Sequence, residues 1–178
     1  MIRQINIADM LISADRGDLL ITHALGSCLG VTLYDPIAGV GGLLHVMIPF
    51  SDVDQAKADN NPYMFVDTGL PLFFKEAYKA GAEKSRLVVT VCGGAVMPHM
   101  GGCNQDDLFQ VGKRNFIIFR KLLWANNFLL NAHDVGVSKP RTVSLDMANG
   151  DVLVSIAGER KQLNFSSKNR WNMIGVTE

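Results

Sequence analysis

The sequence predicts an α+β fold, and three observations point to it. Short β-branched runs with glycine punctuation fill the first half of the chain. Two longer stretches carry apolar residues at helical spacing, and short apolar runs return after the second of them.

Leu19 to Leu25, after the turn signal Arg16-Gly17-Asp18, and Leu29 to Tyr34 read as strands rich in Leu, Ile, Val and Thr. Asp35-Pro36-Ile37-Ala38-Gly39 is a turn, because Pro presets φ and Gly accepts a positive value. Gly42 to Ile48 resumes an apolar strand, which makes the two strands flanking the turn a hairpin. From Ser51 to Pro62 neither period is present, and the stretch reads as a surface loop. Leu72, Phe73, Glu76 and Ala77 describe an amphipathic helix that stops at Gly81, with Pro71 in its first turn or kinking it. Arg86 to Cys92 is a strand stopped by Gly93-Gly94. A second helix, about Gly112 to Asn127, carries Phe116, Phe119, Leu122 and Leu123 on a stripe expected to lie on a sheet. Strands follow near 129–135, 142–147 and 152–156, the last two joined through Asn149-Gly150. The tail, residues 159–178, is polar and unperiodic. Repeats and linker-like tracts are missing, so a single domain spanning 1–178 with its core at about 2–158 is expected.

The bulk composition narrows the function classes. Seventeen Lys plus Arg balance seventeen Asp plus Glu, so no global field draws the chain to nucleic acid or anionic lipid. Charges interrupt the N-terminal apolar residues, which leaves no secretory h-region, and no apolar run is long enough to span a membrane. Three widely spaced cysteines suit reduced thiols in the cytoplasm better than a disulfide framework.

Cys28 sits between Gly26-Ser27 and Leu29-Gly30 at the junction of two strands, where small neighbours leave room for a carbonyl to approach sulfur. With the hairpin turn centred between Ile37 and Ala38, Cys28 falls opposite residue 47. His45 is then a diagonal neighbour, about 7–8 Å away between Cα atoms. Thr22 and His23 must point to opposite faces of their strand, so only one of them can join Cys28 and His45. An imidazole that accepts the thiol proton is the usual way to activate such a sulfur. Pattern alone, however, also fits a small buried cysteine and a satisfied core histidine.

Leu25-Gly26-Ser27-Cys28-Leu29-Gly30-Val31, Asp35-Pro36 and Gly41-Gly42-Leu43-Leu44-His45-Val46-Met47-Ile48-Pro49 resemble the signature of the CheD family, the chemoreceptor glutamine deamidases. Gly93-Gly94-Ala95, Val111-Gly112-Lys113-Arg114-Asn115, Asp134-Val135-Gly136 and Arg141-Thr142-Val143 resemble its later blocks in the same order. The resemblance implies packed β-sheets with helices on the outer face, as in toxin-type cysteine deamidases. It also implies a Cys–His–Thr triad of Cys28, His45 and Thr22; no cofactor and no metal are expected. Implied partners are the cytoplasmic domains of chemoreceptors and a CheC-type phosphatase; a binding module regulating that phosphatase is the alternative reading. Backbone N–H groups of the segment Gly26, Ser27, Cys28, Leu29 are candidate oxyanion donors. The chain departs from the family pattern at residues 98–107, which lengthen a loop, and at Val137-Ser138-Lys139-Pro140.

Other constellations are weaker. Cys92, His99 and Cys103 lack a Cys-x-x-Cys pair and a fourth ligand, which argues against zinc. Ser27 has no nucleophile elbow around it and reads as a lining or turn residue. Asp35 fits a turn role better than one of orienting His45. Asn115, at a helix start, is equally suited to donating into the site or to capping.

Overall fold

The computed structural model describes residues 1–95 and 111–163. Two five-stranded sheets stack face to face, and helices cover the outer side of one of them. The first sheet runs in the order β1 (Ile2–Gln4), β3 (Leu19–Leu25), β8 (Arg141–Asp146), β9 (Val152–Ile156), β10 (Glu159–Gln162). The second runs β2 (Asp9–Ser13), β5 (Val40–Val46), β4 (Leu29–Asp35), β6 (Val88–Gly93), β7 (Ala132–Val135). This is the α+β arrangement of packed sheets with outer helices that the sequence led us to expect.

Period-two alternation builds both layers. On β4 and β5, Leu29, Val31, Leu33, Leu44 and Val46 face the helices, against Phe73 and Phe74 of α2 (Val66–Lys79) and Phe119 and Leu123 of α3 (Val111–Ala125). Tyr34 and Leu43 face the other way, onto Leu20, Leu145, Met147 and Val154 of the first sheet. A second buried cluster therefore lies between the sheets. Each fully buried Leu or Phe contributes about 1.5–3 kcal/mol, so a strand buried on both faces, as β4 is over all seven residues, anchors the fold. At Gly30 the layers close tightly, since a Cβ there would meet Leu25 and Val143 at 2.7 and 2.9 Å.

Four sequence expectations are corrected or narrowed. The stretch 51–62 is not all loop: Asp54 accepts from the Lys57 amide and starts a short helix, α1 (Gln55–Asn60). Only Ala58 of that helix is buried, so it left no apolar period to read. Helix α2 begins at Val66, which rules out the first-turn place for Pro71 and leaves the other expected one, inside the helix; Gly69 lets the first turn pass close over the Pro62–Met64 turn. The tail is strand as far as Gln162: Ala157 and Gly158 both take positive φ (51° and 89°) and turn the chain back onto β9. Finally, β1 and β2 are strands that the charged N-terminus concealed. His99, Cys103 and the rest of the 98–107 loop lie outside the described residues, as does the tail beyond 163.

Candidate active site

Strand register brings the candidate residues together. In the β4–β5 hairpin Leu29 pairs with Val46 and Gly30 with His45, a register that puts Cys28 across from Met47. His45 lies on the same face of β5 as Leu43, between the sheets, and is fully buried. Cys28 precedes β4 on that same face, is half-buried, and packs against the edge of the inter-sheet cluster.

The third member comes from the opposite sheet through a bulge. Thr22 pairs with Val143 but Leu25 pairs with Arg141, so β3 carries one extra residue between them. Ala24 absorbs it with φ of 57°, a left-handed conformation that costs an alanine about 1 kcal/mol. The extra residue lets Thr22 and Leu25 both face inward. His23 then points outward, exposed, with its Nδ1 3.2 Å from Thr142 Oγ1.

Hydrogen bonding fixes the His45 tautomer. Thr22 Oγ1 lies 2.8 Å from the Ile5 carbonyl and 2.8 Å from His45 Nδ1. A hydroxyl has one proton and a carbonyl can only accept, so Thr22 donates to Ile5 and accepts from Nδ1–H. The neutral ring then bears its lone pair on Nε2, which has no partner among the described residues although it is buried. Burial pushes the His45 pKa down to about 4, which keeps the ring neutral near pH 7. Burial likewise pushes the Cys28 thiol up, offset in part by the residue's own amide. The resting pair is thiol and imidazole rather than thiolate and imidazolium.

Neighbouring backbone holds the Cys28 loop. Gly94 and Ala95 amides donate to the Cys28 and Gly26 carbonyls at 2.8 and 2.7 Å. Gly93, with φ of 111°, approaches the Cys28 carbonyl so closely that a Cβ would collide with it. The Ser27 amide finds no acceptor among the described residues, whereas the Leu29 side chain is buried toward the helices and offers the site only backbone. Asn115 lies within α3 and is fully buried. Its Nδ2 donates to the Ser27 carbonyl (3.0 Å) and the Met47 carbonyl (2.8 Å), so both amide protons are engaged and it clasps the segments that carry Cys28 and His45.

Other candidates fall elsewhere. Asp35 sits at the far end of the hairpin, where it accepts from the Ile37 and Ala38 amides, a turn role. Burial alone would raise its pKa, but Arg86 and three main-chain amides hold it well below the usual carboxylate range. Cys92 is buried, with its thiol pushed up to about 12 by burial. No cluster able to hold a metal occurs among the described residues. One contributor had no sequence signal, the Ile5 carbonyl; Arg141, which opens one of the blocks resembling the family, was given no role there, yet it is buried and reaches the Gly93 and Gly136 carbonyls and Asp134.

The family described as CheD chemotactic sensory transduction matches residues 47–156. A protein of Syntrophus aciditrophicus (strain SB), named "Probable chemoreceptor glutamine deamidase CheD 1", is 44% identical over 154 residues, 86% of this chain and 93% of the relative. The corresponding protein of Solibacter usitatus (strain Ellin6076) is 38% identical over 89% of this chain and 91% of its own length. That of Syntrophotalea carbinolica is 40% identical over 86% and 93%. Both carry the name "Probable chemoreceptor glutamine deamidase CheD". The family match starts just after His45, but an alignment covering 86% of the chain takes in Cys28 and His45 wherever it begins.

Proposed function

The chain belongs to the CheD family, and on that membership we propose that it converts glutamine side chains of chemoreceptors to glutamate through a thioester on Cys28. The observation that carries the assignment of residues is the orphaned Nε2 of a neutral His45 whose other nitrogen is held by Thr22.

As the substrate carbonyl carbon reaches Cys28 Sγ, the C–S bond forms and the thiol proton moves to His45 Nε2. Because burial disfavours both charges at rest, proton transfer and attack proceed together. The Ser27 and Cys28 amides are the candidate donors to the resulting oxyanion. Collapse breaks the C–N bond, Nε2–H protonates the nitrogen, and ammonia leaves a thioester. Water then attacks with Nε2 taking its proton, the C–S bond breaks, and the imidazolium returns a proton to sulfur, yielding glutamate. A glutamyl methyl ester would pass through the same acyl-enzyme. Thr22 acts as a positioning residue by holding Nδ1, and Asn115 acts likewise by tying the Ser27 and Met47 carbonyls.

This substrate puts the reaction in the cytoplasm; no helix among the described residues is long and apolar enough to cross a membrane. Association with a CheC-type phosphatase is a second part of the proposal, and it need not use the thiol. The test is peptide mass spectrometry of a chemoreceptor cytoplasmic fragment after incubation with the wild type and with Cys28→Ala. Glutamine-to-glutamate conversion with the wild type alone is expected. Equal conversion by the variant would reject the enzyme reading.

A further inference from the structure

Helix α3 presents a second amphipathic face to solvent, opposite the one it buries. Among its fifteen residues are four Lys or Arg and no Asp or Glu, in a chain whose total charge balances. Ile117 and Trp124, seven residues apart, share one stripe, and Lys113, Arg120 and Lys121 interleave with them at spacings of three and four. Trp124 is 82% exposed and Ile117 39%. No ion pair engages Lys113, Arg120 or Lys121 among the described residues.

This face borders a groove of about 590 Å³, with Phe116, Ile117 and Trp124 along one wall and Phe128, Leu129 and Leu130 along the other. Lys84 lies next to one of its lining residues, with Nζ 5.0 Å from the Phe128 ring centroid. A mostly apolar groove with an exposed tryptophan and lysine and arginine in its lining matches the way amphipathic helices are captured, apolar anchors inside and charges at the edge. Such a lining asks for carboxylates on the occupant. Two copies of this chain set face to face would oppose cation to cation, and a bilayer surface does not fill a concavity.

The groove connects to the candidate active site through the helix itself. Asn115 in the early part of α3 holds the Ser27 carbonyl, next to Cys28. Trp124 lies nine positions farther along, roughly 13 Å at the helical rise, a span that about nine residues of an adjoining helix would match. We infer that the Ile117–Trp124 groove docks an acidic amphipathic helix of the protein being deamidated, so that a glutamine two to three turns away meets Cys28. The inference rests on the deamidase reading above.

The experiment compares full-length wild type, Arg120→Glu/Lys121→Glu and Trp124→Ser on a chemoreceptor cytoplasmic fragment and on a short glutamine peptide too small to fill the groove. Expected is a tenfold or greater rise in KM for the fragment, kcat within twofold, and an unchanged rate on the peptide. An unchanged fragment KM overturns the inference, as does an equal loss on fragment and peptide. Anisotropy of the labelled fragment with Cys28→Ala, with and without the groove substitutions, reads docking apart from chemistry. If the fragment binds through the groove but is never deamidated, the deamidase reading fails and docking stands. Binding that the substitutions leave intact, or their loss of binding only to anionic vesicles or to a second copy, overturns docking.

Discussion

Replacing Thr22 by valine keeps the side-chain volume and the β-branched shape, so it opens no cavity between the sheets. It removes a single oxygen that serves two buried groups: the Ile5 carbonyl loses its donor and His45 Nδ1–H loses its acceptor, each at 2.8 Å. An orphaned buried polar group costs about 1–3 kcal/mol, so with two orphaned the unfolding free energy should fall by about 2–6 kcal/mol. The imidazole, no longer held, is free to carry its proton on Nε2 and to rotate. A loss of 10- to 100-fold in kcat is expected, equivalent to about 1.4–2.7 kcal/mol of barrier. Urea unfolding measures the first quantity, and initial rates of glutamate formation on a receptor fragment measure the second. Thr22→Ser retains the oxygen and should recover most of kcat. The reasoning is refuted if Thr22→Val is destabilised as expected but keeps kcat within twofold of the wild type, because Thr22 would then hold the fold and not the tautomer.

Burial of His45 ties stability to pH: the unfolded chain takes up a proton below its ordinary 6.5, whereas the folded chain takes none until about 4. The native state binds fewer protons across that window, so stability present above pH 6.5 is lost as pH falls toward 4, by up to about 3 kcal/mol. Unfolding free energies at pH 7 and pH 4.5 should drop more for the wild type than for His45→Gln, and equal drops would remove His45 as the source. Asn115→Ala orphans the Ser27 and Met47 carbonyls, and is expected to cost about 2–6 kcal/mol of stability and to lower kcat more than it raises KM. A KM effect alone would place Asn115 in substrate binding instead.

What was legible in the sequence is what strand alternation and turn chemistry dictate locally. Pro36 and Gly39 centre the hairpin, the centre sets the register, and the register sets His45 diagonal to Cys28. Adjacent positions on a strand face opposite ways, so Thr22 and His23 separate, and a single inserted residue at Ala24 restores inward packing for Leu25. What remained hidden depends on main-chain groups, which every residue carries alike. The Ile5 carbonyl that polarises Thr22 has no side-chain signature. Asn115 reads as a helix start, yet its amide spans two carbonyls 20 residues apart in sequence, Ser27 and Met47. Strand β10 is polar throughout because it is held to β9 by backbone pairing at the sheet's edge, where no apolar alternation is required. Helix α1 is six residues with one buried side chain, too short to print a period.

The sulfur of Cys28 as the acyl carrier is the point on which the chemistry turns, and acid-quenched mass spectrometry of the enzyme during turnover tests it directly. The expected result is a substrate acyl adduct, formed with loss of ammonia, mapped to the peptide bearing Cys28 and discharged by hydroxylamine. Turnover with no adduct there, or an adduct on another residue, would contradict it.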